Sequence, residues 1–150
     1  MKRILLLFSA CLLSQIGVAQ YQETIALFYA PAGATEETPQ INISLSKTED
    51  GHAFVAFSFG STDRFETVDG RYFDDALRSF KQINPEALFS ETQETDGRTF
   101  SVSWYSEKGS AVYSLHALSP ADYDKPAAPF LKVVLTLLES VGLDFLYLPQ

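Results

Sequence analysis

Glu91, Ser101 and His116 are the side chains of this sequence with the vocabulary of nucleophilic hydrolysis. A serine hydroxyl becomes a nucleophile when an imidazole takes its proton and a carboxylate orients that imidazole. Ser114 adds a second hydroxyl. Their neighbours decide whether they meet. Phe100, Val102 and Trp104 alternate with Thr99, Ser101 and Ser103, and Ala111, Tyr113, Leu115 and Ala117 alternate with Val112, Ser114 and His116. A four-residue loop, Ser106 to Gly109, sets Trp104 against Ala111, Val102 against Tyr113 and Phe100 against Leu115. The apolar sides then agree, as a half-buried sheet requires. Ser101 and Ser114 share the polar side, with His116 diagonal to Ser101. No G-x-S-x-G elbow surrounds either serine, and no oxyanion donor can be named. A flat wet face also fails to exclude water. Hydrolysis by Ser101 and His116 is therefore the alternative expectation, not the leading one.

Metal and cofactor chemistry find less. His52 and His116 are the two histidines, and they lie far apart in sequence. Asp69, Asp74 and Asp75 offer oxygens to calcium without the spacing or the closing Glu of an EF-hand. Asp74 and Asp75 suit the start of a helix through its dipole. No phosphate-cradling glycine loop and no basic stripe occurs. The expectation is no metal and no cofactor.

Aromatic residues are plentiful, with twelve Phe, seven Tyr and one Trp. Trp104 alternates into the core. Tyr105 falls on the polar side, beside Phe54 if the two hairpins adjoin. Tyr105, Ser114 and His116 are thus the candidate binding residues.

These side chains need elements to hold them. Phe130, Val133, Val134, Leu137, Leu138 and Val141 fall at helical spacing between Pro126 and Val141, with Pro129 early and Gly142 just past the end. So apolar a stripe must cover something. Ile25, Leu27 and Tyr29 alternate within Glu23–Tyr29, a first strand, and residues 31–39 form a loop. Ile41, Ile43 and Leu45 alternate, as do Ala53, Val55, Phe57 and Phe59. A three-residue loop, Glu49-Asp50-Gly51, sets Ile41 by Phe59, Ile43 by Phe57 and Leu45 by Val55. Residues 60–70 read as loop, with Asp69 capping a helix or turning with Gly70. Phe73, Ala76, Leu77 and Phe80 give an amphipathic helix over 71–83, which Asn84-Pro85 stops or follows with a further short turn. Leu88 to Leu118 reads as a three-strand meander, its first strand putting Leu88 by Trp104 through a Thr95-Asp96-Gly97 loop. Leu143–Leu148 is a final edge strand or a tail on the core.

The expected fold is α+β: a single antiparallel sheet of about five or six strands, packed on one face by the C-terminal helix, with a shorter helix midway.

Residues 1–19 stand outside that core. Lys2 and Arg3 precede the short apolar run Ile4 to Leu13, and Gly17-Val18-Ala19 supplies small residues for a cut, the layout of a secretory signal peptide. Residues 20–150 then form one domain without a cysteine. Phe8-Ser9-Ala10-Cys11 also resembles the lipobox of bacterial lipoproteins, departing at Phe8; lipidation of Cys11 would anchor the protein in the envelope. Loss of Lys2 and Arg3 takes the net charge from −8 to −10, which repels nucleic-acid phosphates. Lys132, Glu139 and Asp144 argue against a membrane span in the mature chain. The leading expectation is a small exported non-catalytic protein of the periplasm, envelope or medium that binds a protein or small ligand. An accessory subunit of an envelope complex, pairing through Leu143–Leu148, is the other.

Overall fold

The computed structural model describes residues 21–35, 38–89, 97–116, 118, 122 and 125–148. Met1–Ala19, Cys11, Glu91 and most of the Thr95–Gly97 loop lie outside the described residues.

Six strands form one antiparallel sheet. They are β1 (Tyr21–Ala30), β2 (Ile41–Thr48), β3 (Ala53–Phe59), β4 (Thr62–Val68), β5 (Thr99–Ser106) and β6 (Gly109–His116). The order is β4-β3-β2-β1-β5-β6, so the first strand is central. Helices α1 (Gly70–Phe80), α2 (Pro85–Phe89) and α3 (Ala128–Ser140) complete the α+β fold.

Parity of the apolar residues sets the register. Ile41 faces Phe59, Ile43 faces Phe57 and Leu45 faces Val55. A one-residue slip would have turned one of these sets to water. Glu49-Asp50-Gly51 closes the hairpin, with Gly51 at φ 90, where a Cβ would be strained. Phe100 faces Leu115, Val102 faces Tyr113 and Trp104 faces Ala111. Ser106 and Gly109 also pair, so only Glu107-Lys108 turns the chain, tighter than the four-residue loop expected.

One side of this sheet is the core. Ile25, Leu27, Tyr29, Ile43, Leu45, Val55, Phe100 and Val102 are buried on it. Phe130, Val133, Val134, Leu137, Leu138 and Val141 of the C-terminal stripe are buried against them, and Leu131 joins the core from beside the stripe. Gly142 at φ 73 ends α3: its N–H donates to the Glu139 C=O, and the Leu143 N–H donates to the Leu138 C=O at 2.9 Å. That pair of bonds is a Schellman close. Helix α1 lies alongside α3 and adds Phe73, Ala76 and Phe80 to the core. The Asp69 carboxylate accepts from the Arg71 N–H and caps α1. Among the described residues no helix is long and apolar enough to cross a membrane.

Three expectations are corrected. The stretch expected as loop between Gly60 and Gly70 contains β4. Its core side carries Arg64 and Glu66, so apolar alternation is missing; it is held by pairing to β3 and by its arginine. The Arg64 guanidinium lies 4.8 Å from the Phe57 ring centroid and donates to the Val141 C=O at 3.4 Å. Second, Leu88 does not lie in a strand beside β5. Leu88 sits buried in α2, where the Asn84 side chain accepts from the Glu86 N–H. Both sides of β5 are taken, by β1 and β6, so Trp104 faces Ile25 and Ala111. Third, of the two readings of Leu143–Leu148 the tail on the core holds, with Phe145 and Leu148 buried, and the edge strand does not. Phe145–Tyr147 is a 3-10 turn whose Phe145 ring stacks on Phe100 with centroids 5.3 Å apart. The outer strands are β4 and β6.

Candidate functional site

Antiparallel pairing places the face of the sheet that no described residue covers in rows across the strands. One row runs Thr67, Phe54, Ser46, Thr24, Tyr105, Ser110 from β4 to β6. The next runs Phe65, Ala56, Ser44, Ala26, Ser103, Val112, and the next Asp63, Ser58, Asn42, Phe28, Ser101, Ser114. Ala30, Thr99 and His116 close one corner. On the central strands each of these residues alternates with a core residue, so the same pleat that buries Ile25 presents Thr24 and Ala26 here.

Asp63, at the β4 margin, is the only Asp, Glu, Lys or Arg in these rows. Four of the hydroxyls pair sideways. Ser101 and Ser114 lie 2.7 Å apart, and Thr24 and Ser46 2.9 Å apart. Large apolar groups stand among them. Phe65 is 46% exposed, Tyr105 48% and Val112 57%. The Phe65 ring is stacked on half-buried Phe54, centroids 5.6 Å apart and planes within 10°. Tyr105 and Phe54 are not neighbours: β1 and β2 separate them, an offset of about 14 Å at ordinary strand spacing.

The hydrolytic candidates share this face only in part. Ser101 and Ser114 are brought together. His116 is not bonded to Ser101; its Nδ1 lies 2.9 Å from the Thr99 hydroxyl, directly across the β5–β6 ladder. General-base activation of serine needs the imidazole on the serine hydroxyl. Here the Ser101 hydroxyl meets another serine. Glu91 lies outside the described residues.

The acidic candidates each hold a separate cation. Asp69 takes Arg71 at 2.8 Å, Asp74 takes Lys47 at 2.7 Å and Asp75 takes Arg78 at 2.9 Å. Hydrogen bonds from the Arg71 side chain and backbone hold the Asp69 carboxyl below the ordinary value of 3.8. His52 sits at the β2–β3 turn, its Nε2 3.6 Å from Asp50, whose own carboxyl is lowered chiefly by a hydrogen bond from the Thr48 hydroxyl. Among the described residues no group of three or more His, Cys, Asp or Glu converges as metal ligands do.

One polar site lies inside the covered layer. Tyr29 is fully buried, and burial raises its hydroxyl pKa above 10.0, opposed by the charge and hydrogen bond of Arg98. Arg98 also lies over the Phe145 ring at 5.5 Å, tying the tail to the sheet.

Tyr105 was legible as an exposed aromatic from alternation alone. Phe65 and Val112 carry no such signal. Phe65 sits between Arg64 and Glu66 in a stretch read as loop, and Val112 is an apolar residue in the polar half of an alternation. No family model matches this chain, and no curated protein matches it.

Proposed function

We propose that this chain is a non-catalytic binding module that meets its partner through the uncovered face of the sheet. The observation that carries the reading is the make-up of that face: Phe65, Tyr105 and Val112 exposed among Ser, Thr and Ala, with Asp63 alone charged at the margin. Hydroxyls that already bond one another cost little to remove from water, whereas charges cost much. Exposed aromatic and aliphatic groups supply the anchors of an interface. The partner is a protein surface or small ligand that is flat and uncharged where it touches. An accessory place in an envelope complex is the same reading with the complex as partner.

Export to the periplasm or medium is part of the proposal, and rests on the layout of Met1–Ala19. Sequencing the exported protein should begin at Gln20, and an intact Met1 would overturn it. Fatty acid found on Cys11 would make the protein lipid-anchored instead. Ester hydrolysis by Ser101 and His116 is the weaker alternative, since the imidazole is bonded to Thr99.

The test is one substitution on each side of the molecule. Ser103→Arg sets a guanidinium in the middle of the bare face and should abolish co-purification of partners from the native envelope. Glu139→Lys, exposed on the helical side, should retain it. Equal capture by both variants, each with an unchanged melting temperature, would overturn the reading.

A further inference from the structure

An open strand edge offers a row of N–H and C=O groups to any passing strand, and stable proteins protect such edges with charge, proline or a bulge. The two edges of this sheet differ. Strand β4 carries Asp63, Arg64 and Glu66, so a charge projects from both of its faces. Strand β6 reads Gly-Ser-Ala-Val-Tyr-Ser-Leu-His, with no Asp, Glu, Lys, Arg or Pro. Its ladder with β5 runs unbroken from Gly109 to His116, so no bulge turns the edge away. Among the described residues β6 pairs with β5 alone. Val112, at the middle of this edge, is 57% exposed, the most of any large hydrophobic side chain in a strand among the described residues.

We propose that β6 is where this chain pairs with a second copy of itself, antiparallel about a two-fold axis at Val112, joining two sheets into one of twelve strands. An isologous contact of this kind must match itself. About that axis Val112 meets the partner's Val112, Ser110 meets the partner's Ser114, and Ala111 meets the partner's Tyr113. Hydroxyl faces hydroxyl, as Ser101 already faces Ser114 within the sheet at 2.7 Å, and the small Ala111 makes room for a tyrosine. Charge selects the same edge. Two copies, each at −8 for the full chain and −10 without Lys2 and Arg3, repel over most approaches, and no charged side chain stands along β6. One strand edge buries less than the about 1,200 Å² of a standard stable complex, which places the contact among weak, concentration-dependent associations.

The inference goes beyond the proposed function and does not depend on what the bare face binds. Sedimentation equilibrium of the purified protein should show a monomer passing to a dimer as concentration rises. Val112→Lys places two ammonium groups across the axis and should leave a monomer at every concentration, with its melting temperature unchanged because the position is exposed. In a Cys11→Ser chain, Val112→Cys should cross-link to its twin on mild oxidation, because directly opposed residues of an antiparallel pair lie within disulfide reach. Thr67→Cys, on β4, should not. A wild-type chain that stays monomeric would overturn the proposal. So would a Val112→Lys variant that dimerises as the wild type does, or equal cross-linking through Thr67. Protection of the β6 amides by an added peptide in a chain that stays monomeric would assign the edge to that peptide and not to a second copy.

Discussion

The two faces of the sheet are made by the same six strands and share almost nothing else. On the inner face Ile25, Ile43, Leu45, Phe100 and Val102 are out of solvent, sealed by α1 and α3. One residue along each strand, Thr24, Ala26, Ser44, Ser101 and Ser103 stand on a face with nothing over it among the described residues. Backbone pairing cannot account for the difference, because both faces have the same ladder. The cover does. Stability is concentrated where helices remove apolar area from water, at about 25 cal/mol per Å². The outer face is left free to vary without unfolding the chain, and it is also free to recognise something.

If that division is right, substitutions of similar size should have opposite consequences on the two sides. Leu137→Asp introduces a charge into the fully buried seam between α3 and the sheet, and should leave the chain unfolded by circular dichroism. A native melting temperature would show that the helix is not docked. Phe100→Ala empties a ring that touches both Tyr29 and Phe145, and should cost about 3–5 kcal/mol in denaturant titration. A smaller effect belongs to the cap of α1. The Asp69 carboxyl is lowered in the folded state, so its contribution is present above pH 3.8 and is lost as pH falls through its folded value. Asp69→Asn keeps a capping oxygen but loses the charge, so it should lower stability slightly through the neutral range, leave it unchanged at the lowest pH, and so flatten that part of the acid profile. Ser101→Ala, on the bare face, should change stability by no more than about 0.5 kcal/mol and should leave any partner-independent hydrolysis unaltered. A large loss of stability there would mean that the outer face is covered after all.

The fold was legible wherever strict alternation met a turn of known length. In the β2–β3 and β5–β6 hairpins the apolar sets could agree in one register only, and that register is present. The C-terminal helix was legible because its six stripe residues had no other way to be buried. Strand β4 was hidden because Arg64 occupies a core-side position, its guanidinium over the Phe57 ring, where a strand pattern asks for an apolar residue. Leu88 misled for the opposite reason. An apolar residue after Asn-Pro fits a strand or one turn of helix equally well, and length alone decides. In the candidate site, the pairing of Phe100 with Leu115 already implies that Thr99 stands opposite His116. The imidazole takes that directly opposed hydroxyl and not the diagonal Ser101. The edge now exposed at β6 could not be read without the strand order, since a meander from Leu88 would have changed which strands lie beside β5.

The division into a sealed and a bare face is tested most directly by thiol accessibility. In a Cys11→Ser chain, cysteine placed at Val134 should resist a small thiol reagent under native conditions and react only on unfolding, whereas cysteine at Ser103 should react at once. Rapid native labelling at Val134, or protection at Ser103 in dilute monomer, would contradict the account.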